Sequence, residues 1–358
     1  MTFTVATVAS LLLTMCSAAT FVYVGNSDSN EIHVMSLNRA TGELTLVERT
    51  EIPVIVKAGG STPLAISPDK RFLFAATRGE PQGVSTYAVD QQTGKLKYIG
   101  RGPLVDSMPS ISTDRTGHFL FAASYPGHKL TVSRIGANGV IEPPHQILEG
   151  HTNAHSIMTD PKNRFVVAAT LGNDLLNVFK FDAKTGKIEP NKPPSLFIKE
   201  KTGPRHFVFD PSGKRIYLLG ELDANIHILD YDEAKGSLKL RQSVSVLAAG
   251  TKGRIAAADI HITANGKFVY ATERTSNTLT GFQVNPADGT LTLIESIPAE
   301  AMPRSFAIDS TSRYLYVVGM RSNHMSGYSI DGASGRLTKL KEYEMGKTPN
   351  WVELVDLP

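Results

Sequence analysis

Cysteine is almost absent from this chain of 358 residues, which contains a single one, Cys16. A disulfide within the chain is therefore excluded, and a chain that loses its first residues would have no thiol for nucleophilic or redox chemistry. The scarcity of cysteine does not decide the compartment, because cytoplasmic and exported proteins both occur without it.

Motifs that hold metals or activate nucleophiles are also missing. The chain has no HExxH, no paired CxxC and no DxDxDG loop, so we expect neither a metal nor a cofactor. It has no G-x-S-x-G elbow, which would present a nucleophilic serine on a tight turn. The net charge is only +3, and lysine and arginine are scattered through turns such as DKR and GKR, so we expect no nucleic-acid partner.

Charge is absent from the first twenty residues. An apolar run followed by Ser17, Ala18 and Ala19 is typical of a secretory signal with its cleavage site, and the run is too short to span a bilayer as an anchor. We predict a signal peptide at residues 1–19, one domain at 20–358, no membrane span, and a periplasmic or secreted location. The alternative is a cytoplasmic protein whose start codon has been placed too early.

One hairpin recurs along the rest of the chain. Each copy has an apolar strand, a turn that contains Asp or Asn, and a second strand that ends in small residues. Six copies lie at residues 67–78, 112–125, 159–171, 209–221, 262–274 and 308–320. A second turn, written TGELTLVE in its first copy and SGRLTKLK in its last, occurs seven times.

The two chain ends supply the missing seventh hairpin. FVYVGN at 21–26 resembles a second strand without its first, and TPNWVELVD at 348–356 resembles a first strand without its second. Together they complete a four-stranded unit, so the sequence predicts an all-β, seven-bladed β-propeller closed by strands from both termini. A two-sheet sandwich is the alternative, but it gives no reason for complementary half-hairpins.

Equivalent positions of the blades should form rings around the central channel of a propeller. Counting back five residues from the Asp or Asn of each turn gives a first ring of Leu64, Pro109, His155, Arg205, Ile260, Arg304 and Trp351. The position after each second strand gives a second ring of Ser27, Arg78, Tyr125, Leu171, Glu221, Arg274 and Met320. The rings place several ionisable side chains of nearby blades at one mouth of the channel.

Site residues follow from these rings, although each also has an ordinary explanation. We predict a catalytic set of His155, Arg205, Glu221 and Arg274, with Arg304, His206 and Trp351 in substrate binding. The ordinary explanation of Arg205 and Glu221 is a hairpin ion pair at the surface, which would contribute at most about 1 kcal/mol. His206, together with His261 and Asp259, is offset by one residue from the rings, and its alternative role is to support the blades from between them.

The same stretches resemble a known family. GPRHFVFDP, GEL, AADIHIT, ERT and TPNWV are similar, in this order, to motifs of the seven-bladed 6-phosphogluconolactonases, a family that includes the fungal carboxy-muconate lactonising enzymes. The resemblance runs from about Phe21 to the C-terminus. It implies a channel-mouth site of one His, two Arg and one Glu, which fall on His155, Arg205, Arg274 and Glu221.

Hydrolysis of a sugar 1,5-lactone needs a base for the attacking water and positive charge for the oxyanion. Glu221 or His155 is the candidate base, and Arg205 and Arg274 are candidates to hold the oxyanion, the product carboxylate or a phosphate. Three hypotheses remain open: a 6-phosphogluconolactonase, an exported enzyme for unphosphorylated glucono-1,5-lactone, and a non-enzymatic propeller that binds a partner. We expect a small sugar lactone as the ligand and a monomer or weak homo-oligomer.

Overall fold

The computed structural model describes residues 18–247, 250–251 and 253–358. Within this part of the chain, 28 strands form seven antiparallel sheets of four strands, as the sequence predicts. The strands are β1 Ala19–Asn26, β2 Glu31–Leu37, β3 Leu44–Glu51, β4 Leu64–Ile66, β5 Phe72–Thr77, β6 Gly83–Val89, β7 Leu96–Pro103, β8 Ser110–Thr113, β9 Phe119–Ser124, β10 Lys129–Ile135, β11 Ile141–Glu149, β12 Ala154–Thr159, β13 Phe165–Thr170, β14 Leu175–Asp182, β15 Lys187–Phe197, β16 Pro204–Phe209, β17 Arg215–Gly220, β18 Asn225–Asp232, β19 Ser237–Ser245, β20 Ala257–Ile262, β21 Phe268–Glu273, β22 Thr278–Val284, β23 Leu291–Pro298, β24 Pro303–Ile308, β25 Tyr314–Gly319, β26 His324–Ile330, β27 Leu337–Glu344 and β28 Pro349–Leu357.

Blade 1 contains both ends of the described chain. Its strand order is β28-β1-β2-β3, and blades 2 to 7 take the following strands in groups of four. The last strand pairs with the first from Ala19 opposite Leu357 to Asn26 opposite Pro349, which confirms the predicted closure. Asp356 also accepts hydrogen bonds from Thr20 Oγ1 at 2.6 Å and Arg39 Nη2 at 2.5 Å. The closing strand is therefore held by side chains as well as by its ladder.

Apolar side chains fill the spaces between neighbouring blades. Val22 of β1, for example, belongs to one buried cluster with Tyr316 and Val318 of blade 7. The repeated outer turn completes the contact: Gly42 has φ +76°, and a Cβ there would lie 2.4 Å from the ring of Tyr314. The carbonyl of the same glycine accepts a hydrogen bond from Tyr316 at 2.7 Å. The recurring TG turn thus marks the seam between blades.

The recurring Asp of the first hairpin turn fixes the turn through its carboxylate. Asp160 Oδ1, for example, accepts hydrogen bonds from the backbone N–H groups of Arg164 and Phe165. In two blades a hydroxyl takes over this function, because Ser67 accepts from the N–H of Phe72 and Thr263 from that of Phe268. The turn residue equivalent to Asp160 is therefore a serine in blade 2 and a threonine in blade 6.

The strand pairing corrects the predicted first ring at three positions. In blade 1 the register shift skips Asn350, so Asn350 and not Trp351 is the equivalent of His155, because the count started from Asp356, which is not a turn residue of this hairpin.

The hydroxyl substitution accounts for the other two corrected positions. Counting from Asp69 and Asn265 gave Leu64 and Ile260, but the strand pairing aligns Ser67 and Thr263 with the aspartates of the other blades. The equivalents of His155 are therefore Thr62 and Ala258, two residues earlier in each case. Leu64 and Ile260 lie further along the innermost strands, with buried side chains.

Bulges in the innermost strands present the first-ring side chains. The register of pairing shifts between Ala154 and Ser156, between Pro204 and His206, and between Pro303 and Ser305. Each shift skips one residue, and the skipped residues are His155, Arg205 and Arg304. A bulge leaves its extra residue outside the ladder and turns the side chain away from the regular alternation. The same irregularity in three blades therefore directs three basic side chains.

Helical structure is confined to one 3₁₀ turn, Leu171–Asn173, among the residues that the structure describes. Within that part of the chain, no helix has the length and apolar character to cross a membrane. The predicted signal peptide falls almost wholly on residues outside the description, as does Cys16.

Candidate active site

Arg205 is the centre of a buried hydrogen-bonded group. Its side chain is only 2% exposed. Nε donates to the carbonyl of Ala258 at 2.6 Å, and Nη1 lies 2.5 Å from Glu221 Oε2 and 2.7 Å from His155 Nε2. Nη2 is buried without a hydrogen-bond partner among the described residues. Such burial excludes a surface ion pair, and it leaves the Nη2 donors of the guanidinium unpaired among the described residues.

Glu221 lies between two arginines. Its Oε1 is 2.9 Å from Arg274 Nη2, while Oε2 pairs with Arg205. Burial opposes ionisation of the carboxyl, but the charges and hydrogen bonds of Arg205 and Arg274 outweigh it and hold the pKa of Glu221 at about 2. Glu221 is therefore a carboxylate at any physiological pH.

His155 is held as a neutral imidazole with a defined tautomer. Burial first, and then the positive charge of Arg205, lowers its pKa well below the ordinary value. A guanidinium has only donors, so His155 Nε2 must accept the hydrogen bond from Arg205 and the ring proton must be on Nδ1. Nδ1 is buried and has no partner among the described residues. His155 thus offers an unused N–H donor.

Arg274 and Arg304 extend the positive charge. Arg274 Nε donates to the carbonyl of Ala256 at 3.0 Å, and its pKa is lowered to about 10 by burial and Arg205, with Glu221 opposing the shift. Arg304 is 8% exposed, and burial and the neighbouring arginines lower its pKa well below the ordinary value. Its Nε has no partner among the described residues, and its Nη2 lies 3.4 Å from Ser61 Oγ.

Arg78 is also near the Arg205 group. It was a member of the second ring but was not among the predicted site residues. Its Nη1 lies 3.5 Å from Ser61 Oγ, the atom that Arg304 also contacts, and its Nε donates to Ser107 Oγ at 2.9 Å. Burial and the charge of Arg205 lower the pKa of Arg78. Closure of the ring brings Arg78 of blade 2 close to Arg304 of blade 7. The two residues are far apart in the sequence, so the sequence did not show that they are neighbours.

His206 and Trp351 lie next to the group but on its inner side. The His206 ring centroid is 5.1 Å from that of His155 and 5.8 Å from that of Trp351. Both residues line a cavity of about 300 Å³ formed by the innermost strands, whereas Arg205 and Glu221 do not. Trp351 Nε1 donates to Glu353 at 2.9 Å. His206 therefore lies beside both His155 and this central cavity, and Trp351 lies beside His206 and the cavity.

A buried carboxylate, Asp259, fixes His206 from the other side. Asp259 Oδ1 is 2.7 Å from His206 Nδ1, and Oδ2 is 3.3 Å from His261 Nε2. Burial opposes ionisation of Asp259, but the two imidazoles hold its pKa below the ordinary value. The backbone N–H of Phe306 also donates to Oδ2, at 3.2 Å. These contacts link blades 5, 6 and 7. They agree with the alternative role of His206, His261 and Asp259, which is to support the blades from between them.

A second cavity, of about 310 Å³, lies beside Arg274. Its lining includes Arg254, from the loop before β20, and Arg321, from the turn after β25. Ring counting missed both residues, because it follows strands and not the loops between them. Arg321 directly follows Met320 of the second ring. This adjacency was the one feature of the sequence that could have indicated that Arg321 lies near the site.

Comparison with known proteins assigns the chain to a family. A model of the seven-bladed β-propeller lactonases matches residues 26–354. The chain belongs to this lactonase family. The resemblance seen in the sequence motifs is therefore confirmed, and with it the assignment to the lactone-hydrolysing enzymes.

Curated relatives cover nearly the whole chain. A 6-phosphogluconolactonase of Pectobacterium carotovorum is 38% identical over 336 residues, which are 94% of this chain and 98% of that protein. The 6-phosphogluconolactonase of Serratia proteamaculans is 37% identical over 334 residues, 93% of this chain and 98% of its own. Among solved structures, a periplasmic gluconolactonase of Pseudomonas aeruginosa shares the fold with a TM-score of 0.86 and 24% identity, over 95% of this chain and 100% of that one.

Proposed function

We propose that this protein hydrolyses 6-phosphoglucono-1,5-lactone by direct attack of water on the ring ester. The observation that carries the proposal is the charge of the buried arginine group, in which Arg205, Arg274 and Arg304 lie near a single carboxylate, Glu221. An excess of buried positive charge favours an anionic substrate over a neutral one. The substrate named for the relatives at 37% and 38% identity supports the same choice.

In the proposed reaction, the water oxygen bonds to the lactone carbonyl carbon, and the bond from that carbon to the ring oxygen breaks. Glu221 takes a proton from the water and returns it to the ring oxygen, so the carboxylate is regenerated. The free N–H groups of Arg205 Nη2 and His155 Nδ1 are the donors for the oxyanion. The product acid then releases its proton to solvent.

Glu221 suits the role of base better than His155. His155 Nε2 already accepts a hydrogen bond from Arg205, and a proton moved to Nε2 would face another donor at 2.7 Å. Two lone-pair positions of the Glu221 carboxylate remain after its two ion pairs. At rest the carboxylate is a weak base, because its pKa is about 2. An anionic substrate that attracts Arg274 would weaken this hold and raise the basicity of Glu221.

A second candidate function is the same lactone hydrolysis, carried out on a different substrate and outside the cytoplasm. The charge-free residues 1–19 favour export, and an exported enzyme would act on unphosphorylated glucono-1,5-lactone where sugar phosphates are absent. Mass spectrometry of protein from its own host distinguishes the two locations. A first residue near Thr20 supports export, and an intact Met1 supports the cytoplasmic alternative.

The decisive assay follows acid release in a pH-stat with phosphorylated and plain gluconolactone side by side. Aldonolactones open spontaneously in water, so the rate without enzyme is subtracted for each substrate. We expect a higher kcat/KM for the phosphorylated lactone. Absence of enzymatic hydrolysis of both lactones would contradict the proposed function, and a preference for the plain lactone would select the second candidate.

A further inference from the structure

The cavity beside Arg274 has the composition of an anion site. It is about 310 Å³ in volume, and its lining contains three guanidinium groups and no carboxylate: Arg254, Ala256, Arg274, Thr275, Asn277, Met302 and Arg321. The lining comes from blades 6 and 7 and the loop that leads into blade 6.

Arg254 and Arg321 differ from most exposed arginines of the propeller. Both are exposed, and neither side chain has a hydrogen bond or ion pair within the described residues. By contrast, Arg241 pairs with Asp230 at 2.8 Å and Arg336 with Glu295 at 3.0 Å. Two unpaired guanidinium groups at one cavity retain all their side-chain donors for a ligand, and planar guanidinium matches a phosphate in two-point contacts.

Arg274 connects this cavity to the proposed reaction centre. Its Nη2 contacts Glu221 at 2.9 Å, and the same residue lines the cavity. In a 6-phosphorylated 1,5-lactone, the phosphate is on the carbon next to the one that bears the ring ester oxygen. Only a few bonds therefore separate the phosphate from the reacting carbonyl, and one substrate can contact Glu221 and the cavity on either side of Arg274.

We propose that Arg254 and Arg321 form the phosphate subsite of this enzyme and determine its preference for a phosphorylated lactone. This inference rests on the proposed lactone hydrolysis. Arg274 then contacts the substrate between the two sites, and a phosphate dianion offsets the mutual repulsion of the three arginines. Arg205 and His155 are left for the lactone carbonyl.

The test compares Arg254→Gln, Arg321→Gln and the double variant on both lactones. Each single change should lower kcat/KM for the phosphorylated lactone about tenfold more than for the plain lactone, and the double variant about a hundredfold more, mainly through KM. Arg49→Gln is the matched control, because Arg49 is exposed on the outer strand β3 and its loss removes the same charge from the molecule. It should change neither substrate preference nor rate. Thermal melts verify that all variants fold.

Other outcomes separate this inference from the proposed function. Equal losses on both lactones, or no loss on the phosphorylated one, would overturn the phosphate subsite while lactonase activity stands. If the parent protein hydrolyses neither lactone, the proposed function fails, and calorimetry with 6-phosphogluconate and gluconate decides the subsite separately. Tighter binding of 6-phosphogluconate that is lost in the double variant would support it, and equal binding of both compounds would reject it.

Discussion

Two buried ionic groups lie next to each other on the innermost strands, and they differ in how completely they are satisfied. In the Asp259 group, one carboxylate accepts from two imidazoles and from the N–H of Phe306, and one buried ring nitrogen, His206 Nε2, has no partner among the described residues. In the Arg205 group, cations exceed carboxylates, and buried donors of Arg205, His155 and Arg304 have no partner among the described residues. A carboxylate whose oxygens are hydrogen-bonded stabilises the protein, whereas unpaired donors among an excess of cations prepare a site for an anionic ligand. The comparison predicts that mutations in the two groups will have different consequences.

The largest effect on activity is expected from Glu221→Gln. The amide keeps the shape of the side chain but removes the basic carboxylate, so kcat should fall by about a hundred- to ten-thousand-fold. Initial rates on the phosphorylated lactone measure the loss after subtraction of the spontaneous reaction. A variant with the parent kcat would contradict Glu221 as base.

Arg205→Lys should be the next most damaging change. A lysine cannot reproduce the fork that reaches Ala258, Glu221 and His155 together and leaves Nη2 free. We expect kcat/KM to fall by about a hundredfold. Arg241→Lys, at an exposed pair with Asp230, is the control and should retain the parent rate. Equal rates for the two variants would argue against a special geometry at Arg205.

Asp259→Asn should lower stability more than catalysis. The change weakens two contacts to imidazoles and should lower the free energy of unfolding by about 2 kcal/mol. Its effect on kcat should be well below that of Glu221→Gln, since the Asp259 side chain has no hydrogen bond to Arg205, Glu221 or His155 and is linked to His155 through His206. Denaturant unfolding and initial rates measure the two quantities. A loss of rate as large as that of Glu221→Gln, without loss of stability, would place Asp259 in the catalytic machinery.

Acid unfolding should show the smallest differences. The pKa of His155 is lowered in the fold, so the unfolded chain takes up this proton first and stability declines as the pH falls below about 6.5. The pKa of Glu221 falls from 4.5 to about 2, so its contribution is present above pH 4.5 and is lost as the pH approaches 2. Melting temperatures measured across this range should decline less in His155→Asn below pH 6.5 and less in Glu221→Gln below pH 4.5. Parallel curves for the three proteins would contradict both assignments.

The sequence predicted the architecture because each blade repeats its own turn chemistry. The half-hairpins at 21–26 and 348–356 were sufficient to identify the closing sheet. Leu64 and Ile260 were wrong because a hydroxyl in Ser67 and Thr263 replaces the carboxylate from which the count began. A hydroxyl oxygen accepts the same backbone hydrogen bond as a carboxylate oxygen. Counting back from the nearest Asp or Asn of the turn cannot detect this exchange.

The electrostatic state of the site was less accessible to prediction. The tautomer of His155 depends on one contact with Arg205, and the subsite of Arg254 and Arg321 depends on the distance between two loops. Neither property can be read from the repeated sequence motifs. Arg205, Glu221 and Arg274 could be selected from the sequence because their backbone positions are set by the strands, while the direction of each proton depends on packing.

The pairing of β28 with β1 has a consequence for biosynthesis. The first strand leaves the ribosome early, but its partner, Pro349–Leu357, is made after all the other described strands. Throughout translation the edge of β1 therefore lacks the strand that covers it in the finished ring, and an uncovered edge invites pairing with other chains. A message that ends before codon 349 yields an open ring without Trp351. Because the ends lie side by side in one sheet, joining them and cutting an outer turn would give a permuted chain whose last-made strand lies in another blade.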